Sequence, residues 1–171
     1  MNLRIALIAS ASIAIAVPAV AAGPTDPQIA HIAYTAGNID IAAGKQALAK
    51  SHNKTIRAFA QEMVRDHKAV NDKALALVKK LKVTPQDNPT SQALSKGAKA
   101  ELDKLAKLNG AAFDRAYIDN EVAYHKTVNG ALEKTLIPNA HNAELKSLLE
   151  TGLTLFKEHQ AHAEQVAKEV K

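Results

Sequence analysis

Along most of this chain apolar residues return at every third or fourth position, and few stretches alternate residue by residue. That period marks one face of an α-helix rather than of a strand. The first segment opens at Asp26-Pro27, an N-cap type followed by proline at the first helical position, and runs to about Ser51. Its inner face reads Ile29, Ile32, Ala33, Ala36, Asp40, Ala43 and Ala47. The second opens near Asn53 and carries Ile56, Phe59, Ala60, Met63, His67, Val70, Ala74, Leu77 and Leu81. Thr84 to Thr90, with Pro85 and Pro89, cannot continue it. A connecting helix follows from about Ser91 to Leu108 and ends at Asn109-Gly110. The next runs from Ala111 to about Leu136, with Phe113, Tyr117, Glu121, Tyr124, His125, Val128 and Leu132 on one side. Pro138 to His141 reads as a turn, and Asn142 caps a last helix bearing Leu145, Leu148, Leu149, Gly152, Leu155, Phe156, His159, His162 and Val166. Four long helices and a short connector predict an all-α fold, an antiparallel four-helix bundle over residues 23–171.

The stripes are not purely apolar. Asp40, His67, Glu121, His125 and His159 fall on them, and burying an ionisable group costs several kcal/mol unless it is paired or coordinates something. Residues equally far from a tight turn lie at equal height in an antiparallel pair. Asp40 precedes His52 by 12 residues and His67 follows it by 15, a mismatch of about one helical turn. Glu121 precedes Leu136 by 15 residues and His159 follows Ala143 by 16. Within each hairpin the polar residues can therefore meet, while the linker leaves the relative height of the two hairpins open. His67, His125, His159, Asp40 and Glu121 form a candidate site for one transition-metal ion, Zn, Cu or Fe, since without Cys the only strong donors are imidazole and carboxylate. No catalytic set is legible: there is no Cys, no Gly-rich phosphate loop and no G-x-S-x-G.

Residues 1–22 read differently. Arg4, the apolar run Ile5–Val17 and Pro18-Ala19-Val20-Ala21-Ala22 have the form of a secretory signal peptide, cleaved after Ala21 or Ala22. The run is too short to span a bilayer, and no Cys follows it to take a lipid. A soluble, periplasmic mature protein is expected. Loss of Arg4 with the leader lowers Lys plus Arg from 22 to 21, against 17 Asp plus Glu. These charges are dispersed and aromatic residues are few, which argues against nucleic acid as a partner and leaves weak association with anionic envelope surfaces. The expected state is a monomer or a homodimer.

One octad nearly repeats: Val64-Arg65-Asp66-His67-Lys68-Ala69-Val70-Asn71 and Val122-Ala123-Tyr124-His125-Lys126-Thr127-Val128-Asn129 share V-x-x-H-K-x-V-N. Chance, duplication and common constraint are all open explanations. Phe59-Ala60-Gln61-Glu62-Met63-Val64-Arg65-Asp66-His67, then Gly110-Ala111-Ala112-Phe113-Asp114-Arg115-Ala116-Tyr117 leading to His125, then His159 with Ala163, carry a family resemblance. The chain resembles the domain-of-unknown-function 4142 family of exported bacterial proteins. The resemblance implies a ferritin-like bundle in the periplasm or at the outer membrane, with His67, His125, His159 and Asp40 at family positions. Ferritin-type di-iron proteins use Glu-x-x-His pairs, but the i−3 positions here are Val64, Val122 and Phe156, which argues against an oxidase.

The neighbouring residues have plainer readings. Asp66 points about 100° away from His67 around its helix and reads as a surface or helix-pairing charge. Met63 reads as packing, Asp114 and Tyr117 as residues that fix helix contacts through hydrogen bonds, and His31, His52 and His141 as solvated ends. His162, one turn past His159, belongs either to the site or to solvent. Two functional classes stand against each other: a metal-binding envelope bundle, and a structural or stress-related interaction protein whose buried His and acids form a closed hydrogen-bond network fixing helix register, with His67 and His125 bonded to Asp40, Tyr117 or a backbone carbonyl.

Overall fold

The computed structural model describes residues 23–170, so the leader reading lies outside the described residues. Among the described residues all regular structure is helical: α1 Asp26–Lys50, α2 Lys54–Leu81, α3 Pro89–Ala106, α4 Gly110–Ala131, a π-helical turn Leu132–Leu136, α5 Ile137–Asn139 and α6 Ala143–Glu169. None of these helices is long and apolar enough to cross a membrane.

Local chemistry sets the ends. Asn53, Asn88 and Asn142 each accept from two backbone N–H groups of the following first turn, satisfying donors the helix itself cannot. The α1 cap is Thr25 rather than Asp26, with the Gln28 side chain accepting from the Thr25 N–H. Asp26 is thereby free to accept from the backbone N–H groups of His141 and Asn142, both at 2.8 Å, tying the start of α1 to the turn before α6. Pro89 does not extend the linker but opens α3, because proline at the first helical position lacks only an N–H that would be orphaned anyway. Pro138 differs from expectation in the same way. In a regular α-helix its ring would collide with the Lys134 carbonyl; the turn widens to π geometry, Ile137 N–H donating to Leu132, and the helix runs through Pro138.

The four long helices pack in the cyclic order α1, α2, α6, α4, each against the next, and α4 also touches α1. Neighbours run antiparallel: Asp40 faces His67 and Gly37 faces Asn71 across α1–α2, and Asn129 bonds to Phe156 and Gln160 across α4–α6. The α3 helix climbs back alongside α1, held by the Gln46 side chain donating to the Leu102 carbonyl and the Lys50 ammonium donating to the Ala106 carbonyl, at 3.0 and 2.9 Å. It thus returns the chain so that α4 can descend beside α1.

The apolar core is split. One cluster gathers Ala47, Ile56, Phe59, Met63, Leu105, Phe113, Tyr117, Ile118 and Val166; the other gathers Ile29, Ile32, Leu132, Leu136, Leu145, Leu149 and Phe156. Full burial of each large side chain is worth about 1.5–3 kcal/mol, enough to hold the two ends together around an unfavourable middle. That middle is the layer of Asp40, His67, Glu121, His125 and His159, every one at most 3% exposed.

Candidate functional site

Each long helix contributes to the polar layer: α1 Asp40, α2 His67, α4 Glu121 and His125, α6 His159. The open question of hairpin height is thereby answered, since Asp40 lies within reach of histidines from both hairpins. Its Oδ2 is 3.2 Å from His67 Nε2 and 3.4 Å from His125 Nε2. The three imidazole centroids are 5.3–5.6 Å apart, and His67 also stacks on Phe156 at 4.5 Å. One ligand atom from each of His67, His125 and His159 lies within 4.8 Å of the others, and the same holds for Asp40, Glu121 and His125.

The V-x-x-H-K-x-V-N echo has a structural meaning. In both copies the His enters the polar layer, and the Asn one turn later is buried and reaches the backbone of the antiparallel partner: Asn71 to Tyr34 O at 3.4 Å, Asn129 to Phe156 O at 3.2 Å. A Cβ on Gly37 would sit 2.3 Å from Asn71 Oδ1, so the first of these staples needs glycine opposite it.

Hydrogen bonds fix which ring nitrogen carries a lone pair. His125 Nδ1 is 3.0 Å from the Glu121 carbonyl oxygen, which only accepts, so Nδ1 bears the proton and Nε2 the lone pair. His159 Nε2 lies 3.1 Å from Asp66 Oδ2. The Arg65 side chain, bonded to both Asp66 oxygens, holds that carboxyl below the usual range, so Asp66 accepts and His159 Nδ1 keeps a buried lone pair with no partner. Neither His67 nitrogen has an aligned hydrogen bond; its approach to Asp40 is close in distance but not in direction, and counts as proximity rather than a bond.

Burial drives the protonation states. It lowers His125 to about 4 and His67 well below its ordinary value, the latter aided by repulsion from His125 and His159. His159 is lowered by burial too, with Asp66 opposing. Asp40 is raised by burial to about 7, and Glu121 is raised well above the carboxylate range by burial and by Asp40 beside it. With both carboxyls ionised, none of their four oxygens finds a donor; a proton on one lets it donate to the other. The layer is thus three neutral imidazoles around an acid pair that retains a proton.

All five predicted site residues converge. Met63 is packing, as read, and His162 is half-exposed rather than in the layer. Tyr117 is buried but its hydroxyl has no partner, so of the hydrogen-bond acceptors expected for these histidines the backbone carbonyl serves His125 and Tyr117 serves neither. Asp66 is a helix-pairing charge as expected, yet it also joins Glu62 and His159 in a third group whose ligand atoms lie within 4.8 Å. Glu62 escaped the sequence reading. The available signal was its i, i+4 spacing to Asp66; that this pair faces His159 and His162 on α6 is decided by helix packing.

Fold and site together define an all-helical protein with a buried His-carboxylate cluster. Residues 12–166 match the family described as Domain of unknown function (DUF4142), and the chain belongs to that family. Comparison with curated proteins and with solved structures gives no match.

Proposed function

We propose that this protein is an exported, ferritin-like four-helix bundle of the bacterial cell envelope that holds one divalent transition-metal ion, Zn, Cu or Fe, between His67, His125, His159 and the Asp40–Glu121 pair. One observation carries the reading: His125 Nε2, bearing a lone pair, faces the acceptor oxygen of Asp40 at 3.4 Å. Two acceptors at that distance repel unless a proton or a cation lies between them. Three further points support it. His159 Nδ1 and both His67 nitrogens are buried without partners, the orphaned state that a cation relieves. A nitrogen-rich set with one or two carboxylates suits Zn, Cu or Fe rather than Mg or Ca. The antiparallel helices and the single long return through α3 support a ferritin-like connectivity.

Binding for buffering or delivery fits better than turnover, because the Glu-x-x-His pairs of di-iron oxidases are replaced by Val64, Val122 and Phe156 at i−3. Export rests on the pattern of residues 1–22, and weak envelope-surface association on the dispersed Lys excess. A second reading is favoured by the Asp66–His159 bond and by the raised Asp40: a closed, metal-free network that fixes helix register in a structural or interaction protein of the envelope.

Metal analysis of untagged mature protein, beside a His67→Ala/His125→Ala/His159→Ala variant, separates the two. The metal reading expects about one equivalent of Zn, Cu or Fe, lost in a variant that still folds. Protein that carries none and takes up none on titration leaves the network reading.

A further inference from the structure

The five residues of the polar layer are sealed from solvent, so an ion bound there needs a way in. Among the described residues, the α2–α6 seam carries a partly exposed His-carboxylate group that shares His159 with the layer. On α2, Glu62 and Asp66 are one turn apart; on α6, His159 and His162 are spaced i, i+3, and the antiparallel register sets the two pairs face to face. His162 Nδ1 is 2.8 Å from Glu62 Oε2, and His159 Nε2 is 3.1 Å from Asp66 Oδ2. Side-chain exposure falls inward along this line, from 41% at His162 and 30% at Glu62 to 18% at Asp66 and 1% at His159. His159 is the residue shared by the outer group, Glu62–Asp66–His159, and the inner one, His67–His125–His159, and its Nδ1 is buried with no partner. The Arg65 guanidinium, itself 70% exposed, covers both Asp66 oxygens and so occupies the place where a cation would compete for them.

We propose that this seam is the inlet for the ion, with Glu62, Asp66 and His159 forming an outer cation subsite, His162 bonded to Glu62 at its exposed end, and His159 passing the ion to the buried layer. The inference rests on the metal reading above. Carboxylates at the partly exposed end of the seam concentrate cations there, and His159, shared by the outer and inner groups, lets one ligand be exchanged at a time without stripping the ion bare.

The test is the rate of Co²⁺ loading and release, followed by the visible absorbance of the bound ion in metal-free wild type and in Glu62→Gln/His162→Gln. The inner ligands are untouched in the variant, so the final spectrum and affinity stay as in the wild type while loading slows about tenfold or more. Because the end states are the same, release to excess chelator slows by the same factor, whereas mere loosening of the helices would speed it. Arg65→Gln, which removes the competing cation, loads faster than wild type. Glu62→Gln alone, a near-isosteric change at a half-exposed position, serves as the test if the double change disturbs helix packing. Loading and release at wild-type rates in these Glu62 variants overturn the inlet and leave the inner site standing. Failure of the wild type to bind Co²⁺ at all overturns the metal reading, and the inlet with it.

Discussion

Replacing Asp40 by Asn should make the metal-free protein more stable, and more so at high pH. Asp40 is fully buried, and burial moves its carboxyl from 3.8 to about 7. Holding the ionised form in the folded state therefore costs on the order of 4 kcal/mol. The folded pKa lies above the unfolded one, so the cost is absent below 3.8, accumulates between 3.8 and about 7, and is complete above that. Asn keeps the shape, accepts a hydrogen bond from protonated Glu121, and never ionises. Allowing about 1 kcal/mol for an imperfectly replaced hydrogen bond, Asp40→Asn gains roughly 2–4 kcal/mol at about pH 8. At about pH 5 the folded carboxyl is already protonated and the cost shrinks to on the order of 1–2 kcal/mol, so little or no gain remains. Urea unfolding after chelator treatment, followed by far-UV circular dichroism at both pH values, reads the difference. A gap between wild type and variant that does not change with pH, or a variant less stable at both, would refute the reasoning: the proton would then reside on an imidazole and Asp40 would be a stabilised anion.

Other consequences follow from the same geometry. His125 falls from 6.5 to about 4, so on acidification the unfolded chain takes up this proton before the folded one, and stability is full above 6.5 and declines toward about 4. His125→Gln should remove on the order of 3 kcal/mol of that decline, seen as a flatter urea midpoint between about pH 7 and pH 4.5. Two glycine substitutions should act with opposite signs in thermal melts. Gly37→Ala drives a methyl to 2.3 Å from Asn71 Oδ1 and should cost about 1–3 kcal/mol, whereas Gly97→Ala, mid-helix in α3 with nothing within 4 Å, should gain about 0.5–1 kcal/mol. Equal effects at the two positions would contradict the close α1–α2 approach.

Much of this protein was legible before any tertiary information. Helix positions follow from the three-and-four spacing of Ile29, Ile32, Phe59, Met63, Leu145 and Leu149, because amphipathic periodicity is a local property. The five polar-layer residues were legible for the converse reason: an ionisable group on an apolar stripe has nowhere to go but inward. Boundaries that hinge on proline were less so. Pro89 opens a helix and Pro138 is accommodated by a π turn, since a proline forbids only certain registers and the packed partners choose among the rest. The relative height of the two hairpins was beyond the sequence, because the segment from Val83 to Asn109 could span many offsets; only packing of the two apolar clusters sets Asp40 level with both His67 and His125. Glu62 and His162 went unpaired in the sequence for the same reason. Glu62 has no local mark of a site and His162 stood open between site and solvent; the α2–α6 contact alone brings them to 2.8 Å, because long-range register is decided by how whole faces fit and not by any local run of residues.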